Sequence, residues 1–208
     1  AKGMFALADK HAIDLVGGDT TSGSLTLTIQ AMGIVPKGRA LKRSAAQVGD
    51  LVYVTGSIGD AGLGLKLKQG YDCVEGIHAL QRFNLPEPRV GEGLVLRDLA
   101  NACVDISDGL AADLGHILDQ SGVGARIDYQ QLPVSAVVRE YMDKTKDWQL
   151  PLVAGDDYEL CFSVPSDKTG QLNIACTCIG VIEAEKGLRL VRNGVESEFL
   201  GGGFEHFI

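Results

Sequence analysis

A short apolar run at residues 103–106 stops at Ser107-Asp108-Gly109, and an amphipathic helix follows at once with Leu110, Leu114, Ile117 and Leu118 on one side. A strand that turns directly into a helix with a wide apolar stripe must lay that helix on a sheet. This restricts the chain to a layered α/β or α+β fold. The alternation recurs along the sequence. Leu51–Thr55 reads as a buried strand, followed by a Gly-rich turn and a helix from about Asp60. Helices are expected over residues 74–83, 89–101 and 134–141. Strands are expected at 126–128, 158–164, 178–182 and 188–191, with a hairpin turn at Asn193-Gly194.

Upstream, residues 2–11 read as a helix, 13–16 as a short strand and 24–35 as a strand exposed on one face. Residues 36–50 are loop-like and basic, with Lys37, Arg39, Lys42 and Arg43, and the domain boundary is placed there, dividing 1–38 from 39–208. The chain opens on Ala1 inside a helix, so an upstream part is expected to be missing.

The 19 Lys and Arg stand against 27 Asp and Glu, a formal charge of −8. That disfavours a nucleic-acid surface, which needs clustered cations. Polyanions remain accessible to such a chain if metal ions stand between. The five cysteines form no C-x-x-C pair and the four histidines lack zinc-ligand spacing, as expected of buried thiols in a reducing, cytoplasmic setting. No apolar run approaches the ~18 residues of a membrane span.

There is no Walker-A loop, no complete dinucleotide fingerprint and no nucleophile elbow. Three acidic segments remain. In Val104-Asp105-Ile106-Ser107-Asp108-Gly109-Leu110, two carboxylates flank the strand-to-helix turn. Helix capping by Ser107 or Asp108 explains one residue but not Asp105 as well. Two close acids repel unless a cation joins them, and hard oxygen donors select Mg²⁺ over zinc. Gly17-Gly18-Asp19-Thr20-Thr21 offers backbone N–H groups to a phosphate and a carboxylate to a metal, or is simply a turn. Ala154-Gly155-Asp156-Asp157-Tyr158-Glu159-Leu160 crowds three acids and a tyrosine at a strand entry, for which a ligand-facing role competes with solvation. The 55–60 segment could hold phosphate at a helix N-terminus, but Asp60 as N-cap is preferred.

These segments together resemble the thiamine-monophosphate kinase family of the PurM-like (aminoimidazole-ribotide-synthetase-like) superfamily. The likeness runs through G-G-D-T-T, Gly38-Arg39-Ala40-Leu41-Lys42-Arg43-Ser44, Val48-Gly49-Asp50, Pro86-Glu87-Pro88-Arg89, D-I-S-D-G-L, G-D-D-Y-E-L and Gly203-Phe204-Glu205-His206-Phe207. It implies ATP-dependent phosphorylation of thiamine monophosphate to thiamine diphosphate in a two-domain PurM-like fold. This chain would supply the end of the N-terminal ATP- and Mg-binding domain and the whole C-terminal domain, in a homodimer joined through the N-terminal domains. By the same resemblance Asp19, Asp105 and Asp108 are magnesium ligands, Gly18, Asp19, Arg43 and Ser107 contact the nucleotide, and Asp156 and Phe204 hold the thiamine moiety. Phe204 would stack on the rings, or else plug the body of the domain. The family carries an upstream acidic segment that these residues do not include, so the chain by itself is expected to be inactive. It usually has Glu where Asp156 stands and Gly where Ala154 stands.

The chemistry is consistent with an acceptor that is already a phosphate, ionised near neutral pH because its second pKa is ~6. No general base is required, in keeping with the lack of histidine in the motifs. Other superfamily activities (aminoimidazole-ribotide synthetase, selenophosphate synthetase, a hydrogenase-maturation relative) and a non-catalytic nucleotide-binding module are the alternatives. The chain ends Phe207-Ile208 with no nearby cysteine, against the hydrogenase-maturation reading.

Overall fold

The computed structural model describes residues 2–73, 75–200 and 202–203. Two units are distinguished, residues 1–38 and 39–208. In the first, α1 (Lys2–Lys10) is the one regular element among the described residues, and it buries none of its side chains. The strands expected at 13–16 and 24–35 do not form. A strand needs a hydrogen-bonded neighbour and a face to bury. The described residues of this unit supply neither, and Leu25, Leu27 and Ile29 stay 95%, 85% and 73% exposed.

The second unit is built on a mixed sheet of β1 (Leu51–Thr55), β2 (Ala102–Asp105), β3 (Gly124–Asp128), β4 (Leu160–Val164), β5 (Cys176–Glu183), β6 (Gly187–Arg192) and β7 (Val195–Glu198), in the order β2-β4-β1-β5-β3-β6-β7. Neighbours are antiparallel except β3 and β6, which run parallel. The helices are α2 (Asp60–Lys68), α3 (Ile77–Asn84), α4 (Val90–Leu96), α5 (Leu110–Ser121), α6 (Ala136–Thr145) and the short α7 (Leu150–Val153).

Alternation along the strands divides the core. Val52, Val54, Val104 and Cys161 face α5, whose Leu110, Leu114, Ile117 and Leu118 are all nearly inaccessible. Each such side chain contributes about 1.5–3 kcal/mol by leaving water. Phe162 and Val164 project to the opposite face and meet Leu96 of α4, with Tyr53 stacked on Phe162 at 5.6 Å. A third cluster joins α2, α3 and α6 through Leu63, Ala79, Val138 and Tyr141.

Several boundaries differ from the sequence reading. The helix expected at 74–83 begins at Ile77, and Val74 lies outside the described residues. The helix expected over 89–101 stops at Leu96, where Ala100 N–H bonds Leu96 O in a closing turn. Asn193 and Gly194 do turn the chain, both with positive φ, and the unforeseen β7 follows. Asp60 is not the N-cap of α2. That position is Gly59, and Asp60 is buried, accepting hydroxyl hydrogen bonds from Ser57 and Ser135 at 2.6 Å each.

Buried polar groups tie the layers together. Glu159, at the entry to β4, is inaccessible to solvent. It accepts from Thr55 Oγ1 of β1 at 2.6 Å, from Arg82 of α3 at 2.7 Å, and from two nitrogens of Arg89 at 2.7 and 2.5 Å. Arg82 also donates to Asp157 O at 2.8 Å. Asp50 does similar work behind β1, accepting from Gln47 N, Asn101 and Ser163. Removing the charge of Glu159 leaves two arginines without their shared carboxylate, so Glu159→Gln should cost about 2–4 kcal/mol in urea unfolding. Glu92→Gln, which removes Arg89's looser partner at 3.6 Å, should cost less than about 1 kcal/mol. Equal effects of the two variants would contradict this account.

Candidate active site

The D-I-S-D-G and G-D-D-Y-E-L segments are far apart in sequence and adjacent in space. The β2–β4 pairing ends at Asp105 opposite Leu160, but the backbone ladder continues beyond it. Ile106 N bonds Glu159 O at 2.7 Å, Tyr158 N bonds Ile106 O at 2.8 Å, and Asp156 N bonds Ser107 O at 2.9 Å. Gly155 lets the strands close, because a Cβ there would run into the Ser107 carbonyl. The ladder bends sharply at this point. Asp156 and Tyr158 both adopt left-handed backbone, with φ of 66° and 50°, a strained conformation that clusters at functional sites.

The turn into α5 is held from inside the helix. Asp113, 2% exposed, accepts from the backbone N–H groups of Ser107, Asp108 and Gly109 at 3.0, 3.0 and 3.2 Å. The N-cap is Gly109, with no side-chain cap. Capping by Ser107 or Asp108 is therefore not what these residues do. Burial pushes the Asp113 carboxyl above its usual range, against the pull of the N–H groups of Asp108 and Ser107.

Ser107, Asp108, Asp156 and Tyr158 line a cleft of about 920 Å³. Lys66 of α2, Phe83 of α3 and Gly202-Gly203 line it too. Asp105 is exposed at the end of β2, one ladder step away. Burial raises the Tyr158 phenol, and Asp156, Asp105 and Asp108 push it the same way, so the three carboxylates act on one place. Lys66 is the one Lys or Arg among the described lining residues, and its Nζ lies 3.6 Å from Asp147. A cleft with this balance of charge draws cations.

The other two acids of the G-D-D-Y-E-L segment do not face this cleft. Glu159 belongs to the buried network above. Asp157, 1% exposed, accepts from Gly59 N at 2.6 Å and Ala61 N at 3.0 Å, and so fills the N-terminus of α2. A phosphate at the 55–60 turn would meet that carboxylate, which removes that possibility. The remaining sequence candidates lie elsewhere. Gly18 and Asp19 are exposed in the N-terminal unit, where Asp19 accepts from Thr20 N at 2.7 Å. Arg43 is exposed, and its carbonyl accepts from Ser121 at the far end of α5, about 17 Å along the helix from the acidic turn. Phe204 lies outside the described residues. Among the described residues no group of three or more His, Cys, Asp or Glu side chains converges as a metal site. Lys66, Phe83 and Asp147 were missed because their helix and loop positions carry no local signal. Asp113 was missed because an acid in a first helical turn is ordinary.

The family model described as AIR synthase related protein, C-terminal domain, matches residues 47–193, and its N-terminal counterpart matches residues 1–35. The α/β class and PurM-like fold expected from the sequence therefore hold. Thiamine-monophosphate kinase of Buchnera aphidicola subsp. Schizaphis graminum is 40% identical, the match covering all of this chain and 68% of that protein. The crystal structure of thiamine-monophosphate kinase from Stenotrophomonas maltophilia K279a superposes with a TM-score of 0.83 at 42% identity, covering 90% of this chain and 64% of that one. A structure described as AaThiL complexed with AMPPCP and TMP gives 0.71 at 31% identity, covering 80% and 54%. The chain belongs to the thiamine-monophosphate kinase family of AIR synthase related proteins. It spans about two thirds of the length of the curated relatives it matches.

Burial pushes Asp157 from its usual 3.8 up to about 7, with Asp60 adding to the rise and Gly59 N–H, Ala61 N–H and Arg82 opposing it. Between those values the folded chain keeps a proton that the unfolded chain releases. The stability due to this group is complete below the usual carboxylate range and is lost as pH rises through about 7. Urea midpoints of the unsubstituted chain should fall over that window, and Asp157→Asn should flatten the fall. An equally steep fall in the variant would contradict the assignment.

Proposed function

We propose that this chain is the larger part of a kinase that transfers the γ-phosphoryl group of ATP to thiamine monophosphate, forming thiamine diphosphate. The observation that carries the reading is the ladder that sets Ser107 and Asp108 against Asp156 at one cleft, with Asp105 one ladder step away at the end of β2. Relatives at about 40% identity bear the kinase name, and a structural neighbour is described with AMPPCP and TMP bound, an ATP analogue and the acceptor phosphate.

Residues 1–38 are read as the last part of an ATP- and Mg-binding N-terminal domain and 39–208 as the C-terminal domain. The working protein is read as a cytoplasmic homodimer joined through its N-terminal domains.

The donor chemistry at the cleft fits Mg²⁺. Asp105 and Asp108 are hard oxygen donors, with no histidine or cysteine among the described lining residues. Mg²⁺ in such sites takes only one or two carboxylates and completes its shell with waters and substrate phosphates. Asp105 and Asp108, and Asp19 in the N-terminal domain, would hold the metal, which would supply charge neutralisation for the phosphates.

The chain's own residues position the reactants. Asp113 fixes the backbone of Ser107 and Asp108, so Ser107 presents its hydroxyl toward the nucleotide in a set direction. Gly18, Asp19 and Arg43 are read as nucleotide contacts on the family likeness alone, and Arg43 lies at the far end of α5 from the cleft. Asp156, held in its left-handed turn, meets the cationic thiamine moiety, and the shorter side chain leaves room that Glu fills elsewhere in the family. Gly203 packs against Asp108 O and Ala112 at the cleft, and Phe204, outside the described residues, is read on the family likeness alone as stacking on the thiamine rings. The acceptor phosphate is its own nucleophile, in line with the γ-phosphate, and no side chain removes a proton.

In the complete protein, a coupled assay with ATP, Mg²⁺ and thiamine monophosphate tests the reading. Asp105→Asn and Asp108→Asn should each lower turnover at least about 100-fold with an unchanged or higher melting temperature, since each removes repulsion in the metal-free state. Near-normal turnover in both variants would overturn it.

A further inference from the structure

A second cavity, of about 700 Å³, backs onto the candidate active cleft. Residues 146–153 form the partition between the two. Lys146, Trp148 and Pro151 line the second cavity, whereas Asp147, Gln149 and Leu150 line the cleft. Arg139, Lys146 and Arg192 also bring three positive charges to this cavity, and Asp143 is the one acid among its described lining residues. Lys146 Nζ is occupied by Asp143 O at 2.7 Å. Among the described residues Arg139 and Arg192 have no carboxylate partner, although acids outnumber Lys and Arg by 27 to 19 over the chain.

Arg192 is held in place without a carboxylate. Its guanidinium lies 4.3 Å from the Trp148 ring centroid and 5.5 Å from that of Tyr129. Tyr129 is fixed by its hydroxyl, which donates to Trp148 O at 2.6 Å, and Trp148 rests edge-on against Phe199 at 6.3 Å. Stacking uses the face of a guanidinium and leaves its edge N–H groups to donate, a geometry suited to a carboxylate or phosphate. The Tyr129 phenol is raised by burial, with Arg192 and Arg139 pulling against that rise and Asp147 and Asp143 adding to it more weakly, so both guanidinium charges reach one end of the cavity. Leu132, Val134 and Met142 supply an apolar wall. A concave site with a few placed polar groups on an apolar lining is the usual form of a small-molecule site.

We propose that this cavity binds a small amphipathic oxyanion, a carboxylate or phosphate on an apolar or aromatic body, with Arg192 and Arg139 holding the oxyanion and Leu132, Val134 and Met142 the body. Trp148 is the single tryptophan of this sequence, so its fluorescence reports on the cavity directly.

The full chain should be titrated with phenyl phosphate, benzoate and inorganic phosphate, reading Trp148 emission and the heat of binding. At least one aryl anion should give a saturable change, and the stronger of the two identifies the headgroup. Inorganic phosphate alone should bind more weakly. Arg192→Met and Arg139→Met should each weaken binding at least tenfold, while Asp156→Asn in the neighbouring cleft leaves it unchanged. Arg139 is exposed on α6, so its variant keeps the test decisive if Arg192→Met unfolds. No saturable change with either aryl anion, full binding in the folded arginine variants, or loss of the signal in Asp156→Asn would overturn the proposal.

Discussion

Two carboxylates buried side by side have to be satisfied before the C-terminal unit can close. Asp157 and Glu159 are almost wholly removed from water, and an unpaired carboxylate in that position would be prohibitively unfavourable. The solution draws in separate elements. Asp157 takes the first N–H groups of α2, and Glu159 takes Thr55 of β1, Arg82 of α3 and Arg89 at the start of α4. Asp156 and Tyr158, both on left-handed backbone, line the cleft, while Asp157 and Glu159 are turned inward. Structure and site are thus two sides of one short segment.

The same economy explains how an acidic surface can be kept at the cleft. Carboxylates left close together destabilise a fold unless something fixes them. Asp113 spends its acceptor capacity on the backbone beneath Ser107 and Asp108 rather than on a cation. The turn is set by hydrogen bonds to main chain, and the side chains above it need not pair with one another. A substrate with its own positive charge, or a phosphate arriving with metal, then finds an organised field.

Much of this was legible in the sequence. The strand–turn–helix at residues 103–118, the buried run at Leu51–Thr55 and the Asn193-Gly194 turn depend on short-range patterning, and all three formed. Of the residues in the acidic motifs, Ser107, Asp108 and Asp156 line one cleft, and Asp105 stands one ladder step away. What could not be read was direction. Three acids in six residues look alike as letters, and only tertiary packing turns Asp157 and Glu159 inward. Lys66 and Phe83 reach the cleft from α2 and α3 through packing that no local pattern encodes. Residues 24–35 failed in the opposite sense, since the alternation of Leu25, Leu27 and Ile29 does not make a strand where the described residues of the unit offer no partner. Gly18 and Asp19 share that unit, and Arg43 stands at the opposite end of α5 from the turn it was grouped with.

The central claim is this division of labour between neighbouring acids. It is tested most directly by measuring urea stability and thiamine monophosphate affinity side by side for Asp156→Asn and Asp157→Asn in the complete protein. The account predicts that Asp156→Asn weakens binding at least tenfold with an unchanged urea midpoint, and that Asp157→Asn shifts the midpoint and its pH dependence while binding to the folded protein is nearly kept. A loss of stability in Asp156→Asn with intact binding, or a loss of binding in Asp157→Asn at unchanged stability, would contradict it.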